Sequence, residues 1–397
     1  TYLPLIIVPA TGTSSTGATF NFGQMRFKYP MPTGHSTINT TALPAATIAD
    51  GSAHFEATIW SGDSASSRTI TTSFDPDFVW LKNRSVAGRS HYLYDAVRGF
   101  GLNKELVSNQ TNEEGSSAHT TQNNGYVSGT TSTGFTLAAG SSNSNYTNQS
   151  GQTYVGWAWN AGSSTVSNTD GSITSNVRAN PSAGFSIVAY TGNGSAGATV
   201  GHGLNAAPSL IIRKSRSASA SWFVYHSSLG ATKYILLQAT NASQTSTDAW
   251  NDTAPTSSVF SNGSDGVTNN GTFVAYCFAP VAGYSAFGSY EGNGSSDGPF
   301  VYTGFRPAFL LWKNVDGSFE WGIIDSKRDE INYMSRTLNP SSNGSESSRS
   351  TNDAFDFLSN GFKVRAGGSN ARNQNGSTFI WAAFAENPFQ ANGGLAR

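Results

Sequence analysis

Charge is scarce in this chain. Of its 397 residues, 12% are Asp, Glu, Lys or Arg, and the formal net charge is −1. An average soluble domain carries roughly 25% charged residues. No basic stripe is present to neutralise phosphates, which argues against nucleic acid as a partner. Cysteine is scarcer still. Cys277 is alone, so no internal disulfide can form, and its setting in Phe273-Val-Ala-Tyr-Cys-Phe-Ala279 marks it as a small buried hydrophobe rather than a nucleophile. No apolar run is long enough for a membrane-spanning helix, so no membrane insertion is expected. The longest run, Leu3-Pro-Leu-Ile-Ile-Val-Pro-Ala10, holds two prolines and lacks the basic start of a signal peptide. Thr1 stands where a start methionine would, so the chain reads as beginning inside a longer polypeptide.

Catalytic signatures are missing as well. The six histidines (His35, His54, His91, His119, His202, His226) form no His-x-x-x-His or Glu-x-x-His pair, and no metal centre is expected. Gly-x-Ser-x-Gly occurs once, as Gly294-Ser-Ser-Asp-Gly298, in a Gly/Ser-rich turn segment without the strand-to-helix setting of a nucleophile elbow. Glycoside hydrolysis needs two carboxylates about 5–9.5 Å apart, which a strand supplies as Glu-x-Asp-x-Glu, and that pattern does not occur. Glu113 and Glu114 are adjacent and would face apart on a strand. The clusters Asp353-Ala-Phe-Asp356 and Asp325 to Glu330 read as solvated loops. Asp-Gly pairs at Asp50, Asp170, Asp265, Asp297 and Asp316 read as turns, with calcium left open. The expectation is a protein that is not an enzyme and holds no cofactor.

Against these absences stand 43 glycines, 12% aromatics and a polar surface built from Ser, Thr and Asn. Three blocks recur in one order. The first is a strand running into a Gly turn: Phe55-Glu-Ala-Thr-Ile-Trp60-Ser-Gly-Asp, Phe185-Ser-Ile-Val-Ala-Tyr190-Thr-Gly-Asn and Ser285-Ala-Phe-Gly-Ser-Tyr290-Glu-Gly-Asn. The second opens on proline and closes on lysine: Pro76 to Lys82, Pro208 to Lys214 and Pro307 to Lys313. Proline lacks an N–H and belongs at a strand's start. A short aromatic strand follows each: His91-Tyr-Leu-Tyr94, Trp222-Phe-Val-Tyr225 and Phe319-Glu-Trp-Gly-Ile323. The third block is a continuous apolar run, Tyr154 to Asn160, Phe273 to Ala279 and Phe379 to Ala385, which fits a central strand covered on both faces. Asn-Gly pairs between the strands signal type I′ hairpins. Helical character is confined to Asp325-Ser-Lys-Arg-Asp-Glu330, enough for a turn or two.

The fold expected is all-β: three tandem antiparallel β-sandwiches of jelly-roll or concanavalin-like type. Units 1, 2 and 3 fall at 54–160, 184–280 and 284–387, with a linker at 161–183 and a tail at 388–397.

Two resemblances add to this. Tyr2-Leu-Pro-Leu-Ile-Ile-Val and Ala18-Thr-Phe-Asn-Phe-Gly-Gln24-Met-Arg-Phe27-Lys-Tyr-Pro30-Met-Pro-Thr-Gly34 resemble the closing strands of a SPRY domain, which implies that residues 1–50 are the C-terminal strands of a SPRY-like sheet. The repeated blocks, and Phe384-Ala-Glu-Asn-Pro-Phe389 near the end, resemble the distal β-domain repeats of tail fibre proteins from marine and cyanobacterial phages. That likeness implies a virion-surface or other extracellular location.

The function expected is a non-catalytic fibre or adhesin component that binds host-surface polysaccharide or an envelope protein, assembled as a homo-oligomer with a trimer favoured. A structural spacer, decoration or filament subunit is the alternative, and a glycan depolymerase the second. Trp60, Tyr190 and Tyr290 hold equivalent places beside Gly turns and are the candidate ligand-binding residues. Their competing role is core or inter-unit packing.

Overall fold

The computed structural model describes residues 47–264, 269–367 and 371–385. Apart from residues 47–50, the segment expected to form SPRY-like strands lies outside the described residues, and so does the tail at 388–397.

Unit 1 contains β1 (Phe55–Ser61), β2 (Ser67–Thr71), β3 (Phe78–Asn83), β4 (His91–Asp95), β5 (Leu106–Val107), β6 (Tyr126–Thr131), β7 (Gly134–Ala138) and β8 (Thr153–Trp159). Then come β9 (Thr165–Asn168) and β10 (Ser175–Asn180). Unit 2 follows with β11 (Phe185–Asn193), β12 (Thr199–Gly201), β13 (Leu210–Ser215), β14 (Phe223–His226), β15 (Lys233–Leu236), β16 (Gln244–Thr245), β17 (Val259–Ser261) and β18 (Asn270–Phe278). Unit 3 has β19 (Ser285–Glu291), β20 (Phe300–Tyr302), β21 (Phe309–Asn314), β22 (Gly322–Asp325), β23 (Arg336–Thr337), β24 (Ser347–Ser348), β25 (Phe355–Leu358), β26 (Gly361–Val364) and β27 (Thr378–Phe384). The architecture is all-β and its paired strands are antiparallel.

The three large sheets contain one shared order: β1-β8-β3-β4, β11-β18-β13-β14 and β19-β27-β21-β22. Pro76, Pro208 and Pro307 each stand two residues ahead of the third strand of that order. The missing proline N–H costs nothing there. The next residue makes the first bond to the central strand, from the N–H of Asp77, Ser209 and Ala308 to the carbonyls of Trp159, Phe278 and Phe384.

The continuous apolar runs arise because both faces of these sheets are covered, and alternate side chains go to different cores. Phe78 and Trp80 enter a central core, whereas Val79 and Leu81 face the small sheet β2-β7-β6 of their own unit. Likewise Leu210 and Ile212 enter the central core while Ile211 turns outward, and Phe309 and Leu311 enter it while Leu310 and Trp312 turn outward. Units 2 and 3 complete their outer layers with β12-β17 and β20-β26-β25.

The central core therefore belongs to all three units. Phe78 stacks on Tyr276 at 4.3 Å, Phe55 meets Phe309 at 5.4 Å, and Phe278 meets Phe384 at 5.6 Å. An apolar void of about 20 Å³ lies among Phe78, Leu210, Phe309, Trp159, Phe278 and Phe384, so equivalent positions of the three sheets surround it.

Two expectations change. The segment 161–183 is more than a linker, because β9 and β10 pair onto β11 and lengthen the large sheet of unit 2 to eight strands. The run from Asp325 to Glu330 closes β22 and continues as a non-helical turn from Ser326, while short helices form at α1 (Thr121–Asn124) and α2 (Thr247–Trp250).

Candidate functional site

The three candidate residues lie inside the units. Trp60, Tyr190 and Tyr290 are only 5–8% exposed. Each pairs across the first and last strands with an aromatic ring and stacks on it: Trp60 on Tyr154 at 5.5 Å, Tyr190 on Phe273 at 5.3 Å and Tyr290 on Phe379 at 4.9 Å. Their polar atoms are satisfied internally, donating to Thr147 O, Asn262 Oδ1 and Arg372 O. No ring face is open to a sugar in this conformation, and the structure gives these residues the packing role.

The charged clusters also differ from expectation. Asp325 and Asp356 are buried rather than solvated. Asp325 pairs with Arg328 at 2.6 Å, both side chains fully enclosed, and Asp356 pairs with Arg365. The equivalent turn of unit 1 repeats the first pair as Asp95 with Arg98. The residue type alone suggests solvent, but the spacing Asp-x-x-Arg after both aromatic strands was a readable signal.

The Asp95 and Asp325 pairs sit where one unit meets the next. Tyr276 OH of unit 2 donates to Asp95 Oδ2 of unit 1 at 2.8 Å, and Trp157 Nε1 of unit 1 donates to Asp325 Oδ2 of unit 3 at 2.9 Å. His226 of unit 2 occupies the place of the two aspartates in strand register. Its Nε2 donates to Trp381 O of unit 3 at 3.1 Å, and its Nδ1 accepts from Ser228 N. Unit 1 thus binds unit 2, unit 2 binds unit 3, and unit 3 binds unit 1, so the ring closes within one chain. Backbone bonds follow the same cycle, Glu114 N to Arg216 O, Ser243 N to Val315 O and Glu346 N to Arg84 O.

Two of the three junctions are ionic. Glu346 accepts from Arg84 and Arg328, and Glu114 pairs with Arg216 and Arg98. At the third junction the corresponding residues are Ser243, Val315 and Leu229, and the last two pack in or against the central core. Taking a whole ion set away together leaves no buried charge without a partner.

The lysines that close the second block are buried too. Lys214 Nζ of unit 2 donates to Thr111 O of unit 1, and Lys313 Nζ of unit 3 donates to Thr240 O of unit 2. Burial lowers Lys82 to about 7 and both Lys214 and Lys313 to about 8. Burial likewise lowers His226 to about 4, against the weaker opposing pull of the Trp381 carbonyl. Cys277 is fully enclosed, and burial pushes its thiol well up. No group of three or more His, Cys, Asp and Glu suited to a metal occurs among the described residues.

A different surface stands out. Six large apolar side chains are exposed among the described residues, and Phe300, Tyr302 and Ile331 are three of them, all in unit 3. Phe300 and Tyr302 are alternate residues of β20, at 47% and 67% exposure, with buried Val301 between them. They therefore share the outer face of β20-β26-β25. Gly361 lies opposite Tyr302, and a methyl group there would meet the Phe300 ring at 3.1 Å and Val301 O at 2.1 Å. Lys363, opposite Phe300, donates to Asp297 Oδ1 and Gly298 O. In strand register Thr69 and Thr71 hold these positions in unit 1, and Thr199 and Gly201 in unit 2.

A single family profile, described as a domain of unknown function (DUF7483), matches residues 50–388 and so spans the whole ring. The chain belongs to the DUF7483 family. No curated protein and no solved structure matches it. The DUF7483 match runs without a break across units 1, 2 and 3 and the β9–β10 hairpin.

Proposed function

We propose that this DUF7483 chain is a non-catalytic component of a virion-surface fibre or other extracellular adhesin, that it binds host-surface glycan or another envelope component, and that it works as a homo-oligomer, a trimer in the simplest case. One observation carries the reading. Thirteen Asp, Glu, Lys and Arg side chains are buried among the described residues, many of them at the junctions between units. The charge left for the surface is sparse, and much of that surface is Ser, Thr, Asn and Gly, with aromatic rings on the outer face of unit 3. A surface of hydroxyls and amides makes neutral polar contacts with sugar hydroxyls and has weak long-range attraction for charged envelopes. Several copies in one fibre multiply weak contacts, and two linked sites can gain about 10²–10⁴ in avidity where geometry lets both engage.

A structural spacer or decoration is the second reading. It is favoured by the closed ring, whose large sheets are covered on both faces. The two separate when the purified chain is incubated with host envelope polysaccharide and both retention and new reducing ends are measured. Retention without cleavage supports binding. Release of oligosaccharides overturns the non-catalytic claim in favour of a depolymerase. Neither retention nor cleavage leaves the spacer.

A further inference from the structure

Unit 3 spends two aromatic side chains on a face where the other units place threonine or glycine. The fold does not require those rings, since unit 1 builds the same three-stranded layer without them. Exposed aromatic surface is costly in water and marks an interaction site when it is grouped. Phe300 and Tyr302 are two residues apart on one strand, which sets their side chains about 6.7 Å apart along it. That spacing lets adjacent sugar rings of an extended chain each cover one aromatic ring. Gly361 leaves the floor beside Phe300 low. At the sheet edge, β20 presents a row of backbone groups to which sugar hydroxyls can bond.

Charge narrows the ligand. Lys363 is paired with Asp297, and Asp356 with Arg365, so the acids and bases of this face cancel locally. An anionic polymer finds no uncompensated cation there. A partner β-strand is disfavoured because β20 has three residues, too few for a lasting ladder. The geometry points to the outer face of unit 3, centred on Phe300, Tyr302 and Gly361, as a binding site for an uncharged linear polysaccharide. This site deepens the adhesin reading and rests on it.

The test uses the full chain on immobilised dextran, mannan and laminarin as neutral probes, with alginate and chondroitin sulfate as acidic ones. Three proteins are compared: wild type, Phe300→Ala/Tyr302→Ala, and Thr69→Phe/Thr71→Tyr, which installs the pair on unit 1. Wild type is expected to be retained on a neutral polymer, with little change between about 50 and about 500 mM salt. The alanine variant should lose about tenfold or more in affinity at an unchanged melting temperature, and the unit 1 variant should gain retention through a second site. Undiminished binding by the alanine variant overturns this site and leaves the adhesin reading standing. Salt-sensitive retention on the acidic polymers alone overturns the neutral class. No retention of wild type on any polymer overturns both the site and the glycan reading beneath it.

Discussion

Replacing Glu346 by Ser should destabilise the protein more than replacing Glu346 and Arg84 together. Glu346 accepts from Arg84 Nε at 2.9 Å, Arg84 Nη2 at 2.8 Å and Arg328 Nη1 at 3.0 Å. The Arg84 and Glu346 side chains are 10% and 13% exposed. Glu346→Ser strands the Arg84 guanidinium in a mostly dry junction, at a cost of about 3–5 kcal/mol. Arg328 is spared, because Asp325 Oδ2 and Ile323 O still hold it. Glu346→Ser/Arg84→Val reproduces the Ser243 and Val315 pairing of the unit 2–unit 3 junction, keeps the backbone bond, and leaves no stranded charge at this position. Its cost should fall to about 1–2 kcal/mol, which makes the double variant about 2–3 kcal/mol more stable than Glu346→Ser alone. Urea unfolding of wild type, both singles and the double variant measures this directly. If the double variant loses the sum of the singles or more, the attraction within the pair outweighs desolvation and the argument is refuted.

Other outcomes follow from the buried groups. His226 is held neutral with its folded pKa near 4, so its stabilisation is complete above about 6.5 and is lost as pH falls toward 4, roughly 3 kcal/mol in all. His226→Gln keeps a donor for Trp381 O and should lose less stability than wild type between pH 7 and 4.5; an identical loss would count against the assignment. The unfolded chain keeps protons on Lys82, Lys214 and Lys313 up to about pH 10.4, whereas burial releases them near 7 to 8 in the folded state. Melting temperature should therefore rise between pH 7.5 and pH 9.5, and Lys214→Met should flatten the rise. Tyr290→Ala removes a stacked core ring and should cost about 3–5 kcal/mol in urea while leaving polysaccharide retention of the folded protein unchanged. Reduced retention by folded protein would restore Tyr290 as a contact residue.

The local elements were legible because strand physics is local. A proline start, an alternating or continuous apolar run and an Asn-Gly turn each depend on a few neighbouring residues. Pro76, Pro208 and Pro307 marked their strands, and the unbroken runs ending at Trp159, Phe278 and Phe384 announced two covered faces. Those runs could not say what covered the second face, because any apolar surface satisfies a hydrophobic strand. Only the tertiary structure made it the other two units. The hairpin β9–β10 went unread because its polar sequence gains strand structure by pairing with β11 rather than from its own pattern. Residue type likewise misplaced the rings and the charges. An aromatic beside a Gly turn fits a sugar site or a core equally well, and Trp60, Tyr190 and Tyr290 became core once β8, β18 and β27 stacked rings on them. Asp325 reads as solvated until Arg328 and Trp157 converge on it, and Phe300 acquires its exposed setting only from the sheet that turns it outward. Sequence by itself determined the proline-led strands and the continuous apolar strands, since those follow from backbone and side-chain preference within reach of each residue. The tertiary structure decided which side chains meet water, because that depends on partners distant in the chain.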